Sequence, residues 1–196
     1  MEDTYEAVYT KITEEDVSTL KGLDDFSRVG EYYMLAVEPA EQGYNASYIY
    51  CDEETMYIAR DQMKLLEGRL PQKEDEVVVS RYFLSNYGAD AGIGEKVMLN
   101  SESFHGEYTV TGILEGYKEK EVNGSSILLS EEALKGWSGY DPADYRAYVH
   151  FKNEQQMDET ELTARSREIA KEYQLEMPIM NLSYMKFYKQ PVNVSM

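Results

Sequence analysis

The chain is 196 residues long and 42% hydrophobic, with 37 acidic against 19 basic side chains and a formal charge of −18. That length is enough to bury a real core and excludes a peptide-sized scaffold. The charge repels nucleic acid phosphates and anionic lipid headgroups, favours cationic partners, and keeps the surface solvated whether or not anything binds there. The single cysteine, Cys51, excludes an internal disulfide framework and any multi-cysteine zinc site. Eighteen tyrosines supply large rings with polar tips, suited to core edges and concave surfaces.

In chain order, Thr13 to Gly22 predicts a short helix, with Thr13 as N-cap, acidic residues in the first turn, Gly22 as the stop, and Val17 and Leu20 facing inward. Val29 to Glu38 and Asn45 to Cys51 predict strands joined by a Pro39 to Gly43 turn. Glu53 to Leu66 predicts a helix ended by Gly68. The middle of the chain turns to small β elements: strands at Glu76 to Ser80, Lys96 to Asn100 and Tyr108 to Leu114, with a short helix from Arg81 to Tyr87 closed by Gly88. Ser125 to Ser130 reads as a strand leading into a helix from Glu131 that Gly136 ends. Tyr145 to Phe151 alternates as a strand, and Glu154 to Tyr173 predicts the longest helix, its inner face carrying Leu162, Ile169 and Tyr173. Pro178 interrupts before a last aromatic segment, Asn181 to Tyr188. The longest uncharged run, Gln42 to Cys51, is far short of the roughly 20 apolar residues that span a bilayer, and the N-terminus lacks the basic and apolar regions of a signal peptide.

Motifs with catalytic potential are sparse. Ser18 to Lys21 and Ser183 to Lys186 both read Ser-x-x-Lys, the spacing that sets a serine nucleophile beside a lysine base. The companion Ser-Asp-Asn and Lys-Thr-Gly motifs are absent, so both matches are read as chance. Gly136 to Gly139 and Ala91 to Gly94 read as turns rather than a nucleophile elbow or a phosphate loop. His105 and His150, the only histidines, have no metal-ligand spacing and are read as surface or strand residues; Cys51 is read as a small buried hydrophobe. The acidic clusters Asp52 to Glu54, Glu74 to Glu76 and Asp141 to Asp144 lack the calcium-loop pattern and read as solvated turns. Asn-x-Ser sequons at Asn45, Asn123, Asn181 and Asn193 would suit a secreted glycoprotein, but one cysteine argues against that class.

One ordered series carries more information. Glu67-Gly68-Arg69-Leu70-Pro71, Asp75-Glu76-Val77-Val78-Val79-Ser80, Tyr87-Gly88, Ile93-Gly94-Glu95-Lys96-Val97 and Tyr108-Thr109-Val110-Thr111-Gly112-Ile113 follow one another within about fifty residues. The series, with a helix and strands before it and a strand and long helix after it, resembles the MacB-like periplasmic core domain of FtsX-like ABC transporter permeases. The resemblance implies an α+β fold with an α/β membrane-proximal subdomain, 1–67 plus 141–196, and an inserted small β-rich subdomain, 68–140.

It further implies a non-catalytic outer domain at the extracytoplasmic face of a cell membrane, binding substrate or partner and transmitting conformational change from the ATPase. Its partners would be its own transmembrane helices, a cognate ABC ATPase that hydrolyses the ATP, and a second permease copy. The family assigns no catalytic, cofactor or metal residue, and the substrate-binding residues are unknown. This chain carries no transmembrane helix or ATPase motif and is read as an excised extracellular segment. The lack of a cysteine pair and the acidity fit a Gram-positive surface and a cationic peptide or partner protein. The contrasting expectation is a stand-alone secreted hydrolase, or a carbohydrate- or peptide-binding protein, using the tyrosine-rich surface.

Overall fold

The computed structural model describes residues 4–39, 45–59, 63–87, 91–116, 119 and 124–188. The α+β architecture expected from the sequence is the one the chain adopts. The Pro39 to Gly43 turn beyond Pro39, Gly88, the sequons at Asn123 and Asn193, and the side chain of Lys186 lie outside the described residues. The chain forms two compact units, one of Met1–Glu31 with Pro142–Met196 and one of Tyr32–Asp141.

The first unit is built from both ends of the chain. Strand β1 (Ala7–Ile12) lies between β9 (Tyr145–Phe151) and β10 (Ile179–Met180), antiparallel to each, with Ala7 opposite Val149 and Met180. The register of β1 on β9 slips between Tyr9 and Ile12, where Lys11 takes a positive φ of 53°. A bulge of this kind re-aims the strand end. Helix α1 (Glu14–Lys21) starts in a capping box: the Thr13 N–H donates to Asp16 Oδ2 at 2.8 Å while the Asp16 N–H donates to Thr13 Oγ1 at 3.1 Å. Val17 and Leu20 are buried, as their spacing predicted.

Helix α5 (Glu159–Glu172) begins later than expected. Glu154–Gln156 is a separate 3-10 turn, and Asp158 and Glu161 close a second capping box. The Asp158 carboxylate accepts the Glu161 N–H at 2.9 Å, so the helix starts there rather than at Glu154. Its buried face is Leu162, Ser166, Ile169 and Ala170, with Tyr173 only half-buried at the C-cap. The Ser166 position suits a tyrosine tip: Tyr9, fully buried, donates its hydroxyl to the Ser166 carbonyl at 2.8 Å. Edge-on stacking of Phe26 and Phe151, centroids 4.9 Å apart, closes the core of this unit. Arg165 forks onto Asp25 at 2.7 and 3.0 Å. The aromatic segment after Pro178 is helix α6 (Leu182–Tyr188).

In the second unit the strand order is β2 (Phe26–Pro39, whose first residues belong to the other unit), β3 (Asn45–Cys51), β8 (Gly124–Leu129), β5 (Glu76–Ser80), β7 (His105–Gly116) and β4 (Met63–Gly68), with β6 (Lys96–Asn100) paired to the near end of β7. The β3–β8 and β5–β7 pairs are parallel and the others antiparallel. Every residue of β5 is buried, which explains its unbroken Val77-Val78-Val79 run: a strand covered on both faces has no polar side to alternate with. Each of these valines contributes about 1.5–2 kcal/mol by leaving water.

The sequence-predicted helix from Glu53 to Leu66 is overturned in its second half. Helix α2 (Glu53–Ile58), capped by Asp52, ends at Ala59, and Met63–Gly68 is a strand paired with β7, Leu65 opposite Leu114. The helix-favouring Lys64, Leu65 and Leu66 yield to the open edge of β7, a tertiary override of local propensity. Helix α3 (Arg81–Tyr87) starts where Ser80 Oγ accepts the Phe83 N–H at 3.0 Å, and α4 (Glu131–Gly136) where Ser130 does the same for Ala133. Among the described residues, no helix is long and apolar enough to cross a membrane.

Candidate functional site

The pieces of the residue series around Gly68, Glu76, Gly94 and Gly112 form one structural knot in the second unit. Gly68 sits at φ +80°, and a Cβ there would lie 2.1 Å from the Thr111 carbonyl oxygen. Only glycine fits both that conformation and that approach. The next residue pins the chain to β7: the Arg69 N–H donates to the Thr111 carbonyl at 2.9 Å, and Thr111 Oγ1 donates back to the Arg69 and Val77 carbonyls at 3.2 and 3.3 Å. Gly112 keeps the strand close enough for this, since a Cβ on it would meet the Arg69 carbonyl at 2.8 Å.

The Arg69 guanidinium grips Glu76 with two parallel hydrogen bonds, 2.9 and 2.8 Å, and the Gln72 N–H adds a third at 2.8 Å. The Arg69 hydrogen bonds outweigh the burial of Glu76 and hold its carboxyl down at about 2. The turn at Gly94, φ +88°, is tied to the same strand through Gly94 N–H to Val110 carbonyl and Val110 N–H to Glu95 carbonyl, both 2.8 Å. These groups are spent on one another and on backbone. Arg69, Glu76 and Thr111 are architecture, whereas Asp75 and Tyr108 of the same series face a cleft.

Beside the knot lies an open cleft of about 500 Å³. Three segments build it: the Glu74–Asp75 turn before β5, the start of β7 from His105 to Tyr108, and the end of α4 with Trp137 and Ser138 beyond it. Its floor is aromatic. Phe104 is buried against Tyr48, centroids 4.5 Å apart, and Trp137 lies over Phe104 at 6.1 Å. Gly139 lets the chain pass within 2.4 Å, measured to where its Cβ would stand, of the Trp137 ring. Ser103 at the cleft edge donates its N–H and its hydroxyl to Glu38; burial opposes the charge on Glu38, but these bonds hold its carboxyl below the usual range.

The cleft is acidic. Glu74, Asp75 and Glu107 line it, all exposed, and the Glu74 N–H donates to Glu132 Oε2 at 3.2 Å. No lysine or arginine lines it among the described residues; Lys96 meets Glu107 from outside at 3.4 Å. Burial raises the Tyr108 hydroxyl above its ordinary ionisation range, and the Glu74 charge raises it further.

The remaining sequence candidates are scattered. Ser18 is exposed, and Lys21 meets Glu31 at 3.7 Å rather than serving a nucleophile. Ser183 is exposed on α6. Gly136 to Gly139 is a helix end and turn, as read from the sequence, and forms one wall of the cleft. Cys51 is buried at the end of β3, and burial pushes its thiol well up. Asp52 caps α2 through the Thr55 N–H at 2.9 Å. Of the sequons within reach, Asn45 is exposed, whereas Asn181 donates its amide to the Tyr5 carbonyl at 3.0 Å. His105 is exposed at the cleft.

His150 holds a partner the sequence did not suggest. Glu6, fully buried, sets Oε1 2.9 Å from His150 Nδ1 and accepts the Phe151 N–H on Oε2 at 2.7 Å. Burial dominates over these bonds and raises the Glu6 carboxyl above the ordinary range. The pair lies 144 residues apart in sequence, so no local spacing could have pointed to it.

The architecture of these two units is that of the extracytoplasmic domains of ABC-type permeases. The periplasmic region of MacB from Actinobacillus actinomycetemcomitans superposes with a TM-score of 0.61 at 12% identity, covering 95% of this chain and 92% of that one. The extracellular domain of the noncanonic ABC-type transporter YknZ from Gram-positive bacteria gives 0.60 at 17%, covering 89% and 97%. A domain of a putative permease protein from Porphyromonas gingivalis gives 0.56 at 14%, covering 87% and 84%. At these identities the likeness is one of fold. No family model and no curated protein matches the sequence.

Proposed function

We propose that this chain is the non-catalytic extracytoplasmic domain of an ABC transporter permease. It binds a substrate or partner and transmits conformational change that a cognate ATPase drives through the permease's transmembrane helices. The observation that carries this reading is coverage: the likeness extends over 84% to 97% of each permease domain, so the whole domain is matched rather than one shared motif. The chemistry of the residues agrees with a mechanical role, because Arg69, Glu76 and Thr111 of the signature series are consumed in holding β4, β5 and β7 together.

In this reading the domain comprises a membrane-proximal α/β subdomain and an inserted β-rich one, and it works outside the cytoplasm. The likeness to YknZ and the single cysteine favour a Gram-positive cell surface. The permease can also act beside a second copy of itself.

The test is the coding sequence on either side. An apolar run of about 20 residues preceding Met1 and another following Met196, next to a gene with ATPase motifs, is the expected result. Stop codons at both ends would overturn the reading.

A further inference from the structure

The cleft presents the Tyr108 and Trp137 side chains together with exposed carboxylates. Three properties of this cleft converge on one kind of occupant. At about 500 Å³ it admits one or two side chains of a peptide but not a folded surface. Its aromatic floor offers ring faces and apolar contact, which suit the methylene stem of a long side chain and attract a cation held over a ring. Its rim carries Glu74, Asp75 and Glu107 beside His105, with no lysine or arginine lining it among the described residues, in a chain of charge −18.

A purely apolar ligand would desolvate three carboxylates without return. A neutral saccharide would leave the charge of the three carboxylates uncompensated, whereas a cation neutralises it. We propose that the cleft is a docking site for a cationic peptide segment, seating a lysine or arginine side chain against Trp137 and Tyr108 with Glu74 and Glu107 around its charge. The proposal deepens the binding role in the permease reading. Its test uses the 196-residue chain alone, so failure here leaves that reading standing, and stop codons at both ends would remove that reading while leaving the cleft.

Trp137 is the only tryptophan in the chain, so its fluorescence reports on the cleft directly. Penta-arginine is titrated into the chain, with penta-glutamine and cellopentaose as neutral probes. Penta-arginine should change the Trp137 emission and bind more weakly as salt rises to physiological strength, while neither neutral probe changes it. Glu74→Gln with Glu107→Gln should weaken binding by about fivefold or more, whereas Glu15→Gln with Glu172→Gln, which removes two exposed charges from the other unit, should change it by less than about twofold. Both double variants replace exposed groups with near-isosteres, and equal melting temperatures would confirm that each is folded. Equal losses in the two double variants, a silent Trp137, or a response to cellopentaose instead of penta-arginine would each overturn the proposal.

Discussion

Glu6 and Glu76 are both buried carboxylates, one in each unit, at 0% and 7% exposure, and they ionise in opposite directions. Burial raises the Glu6 carboxyl in spite of His150 and the Phe151 N–H, whereas the Arg69 fork and two backbone donors bring Glu76 down to about 2. The difference teaches what a buried acid needs in order to stay charged. An imidazole supplies a positive charge only when protonated, whereas a guanidinium is always charged and presents two parallel donors. The second unit therefore has a permanent ionic clasp, and the first has a polar pair whose state follows the solution.

The comparison breaks first at the clasp's geometry. Gly68→Ala should cost about 3 kcal/mol or more, because the new Cβ meets backbone at 2.1 Å in a conformation that already disfavours it. Chemical denaturation measures this, and a loss under about 1 kcal/mol would show that Gly68 is not what lets Arg69 reach Glu76. A smaller effect, about 2 kcal/mol at neutral pH, is expected for Glu76→Gln, which leaves the guanidinium without its anion. Because the folded value near 2 lies below the ordinary 4.5, the Glu76 contribution is complete above 4.5 and is lost as pH falls towards 2. The gap between parent and variant should therefore narrow across that window, and a constant gap would refute the ionic clasp.

Glu6→Gln should give the smallest effect at neutral pH and the most pH-dependent one above 4.5. A carboxyl raised by folding binds its proton more tightly in the native state, so its contribution is complete below 4.5 and is lost as pH rises through the folded value. The parent should gain stability relative to the variant as the solution is made mildly acidic. Melting temperatures for both proteins between pH 7 and pH 4.5 read this difference, and parallel curves would remove the contrast between the two units.

Local signals in the sequence suffice where local physics decides the structure. Thr13 and Asp16 cap α1, Val77 to Val79 form a covered strand, and Gly136 ends α4. The sequence misleads at the start of the long helix, where the Asp158 cap overrides Glu154, and wherever a distant partner decides. Met63–Gly68 becomes a strand because β7 offers an edge, and Ala7–Ile12 went unread because its acidic, tyrosine-bearing flanks conceal a strand that only β9 and β10 justify. The candidate site follows the same rule. The series from Gly68 to Ile113 was visible as punctuation, but the Arg69–Glu76 clasp was not, and the cleft assembles Glu74, Tyr108 and Trp137 from three segments with no common spacing.

Cys51 stands at the end of β3, in a strand flanked by β2 and β8, at 5% exposure and with its thiol kept protonated by burial. A thiol reagent can reach it only when that strand lifts away from its neighbours. The chain thus carries, without any engineering, a single chemical stopwatch for the opening of its second unit: the ratio of the observed labelling rate to that of an unhindered thiol is the fraction of time the strand spends apart.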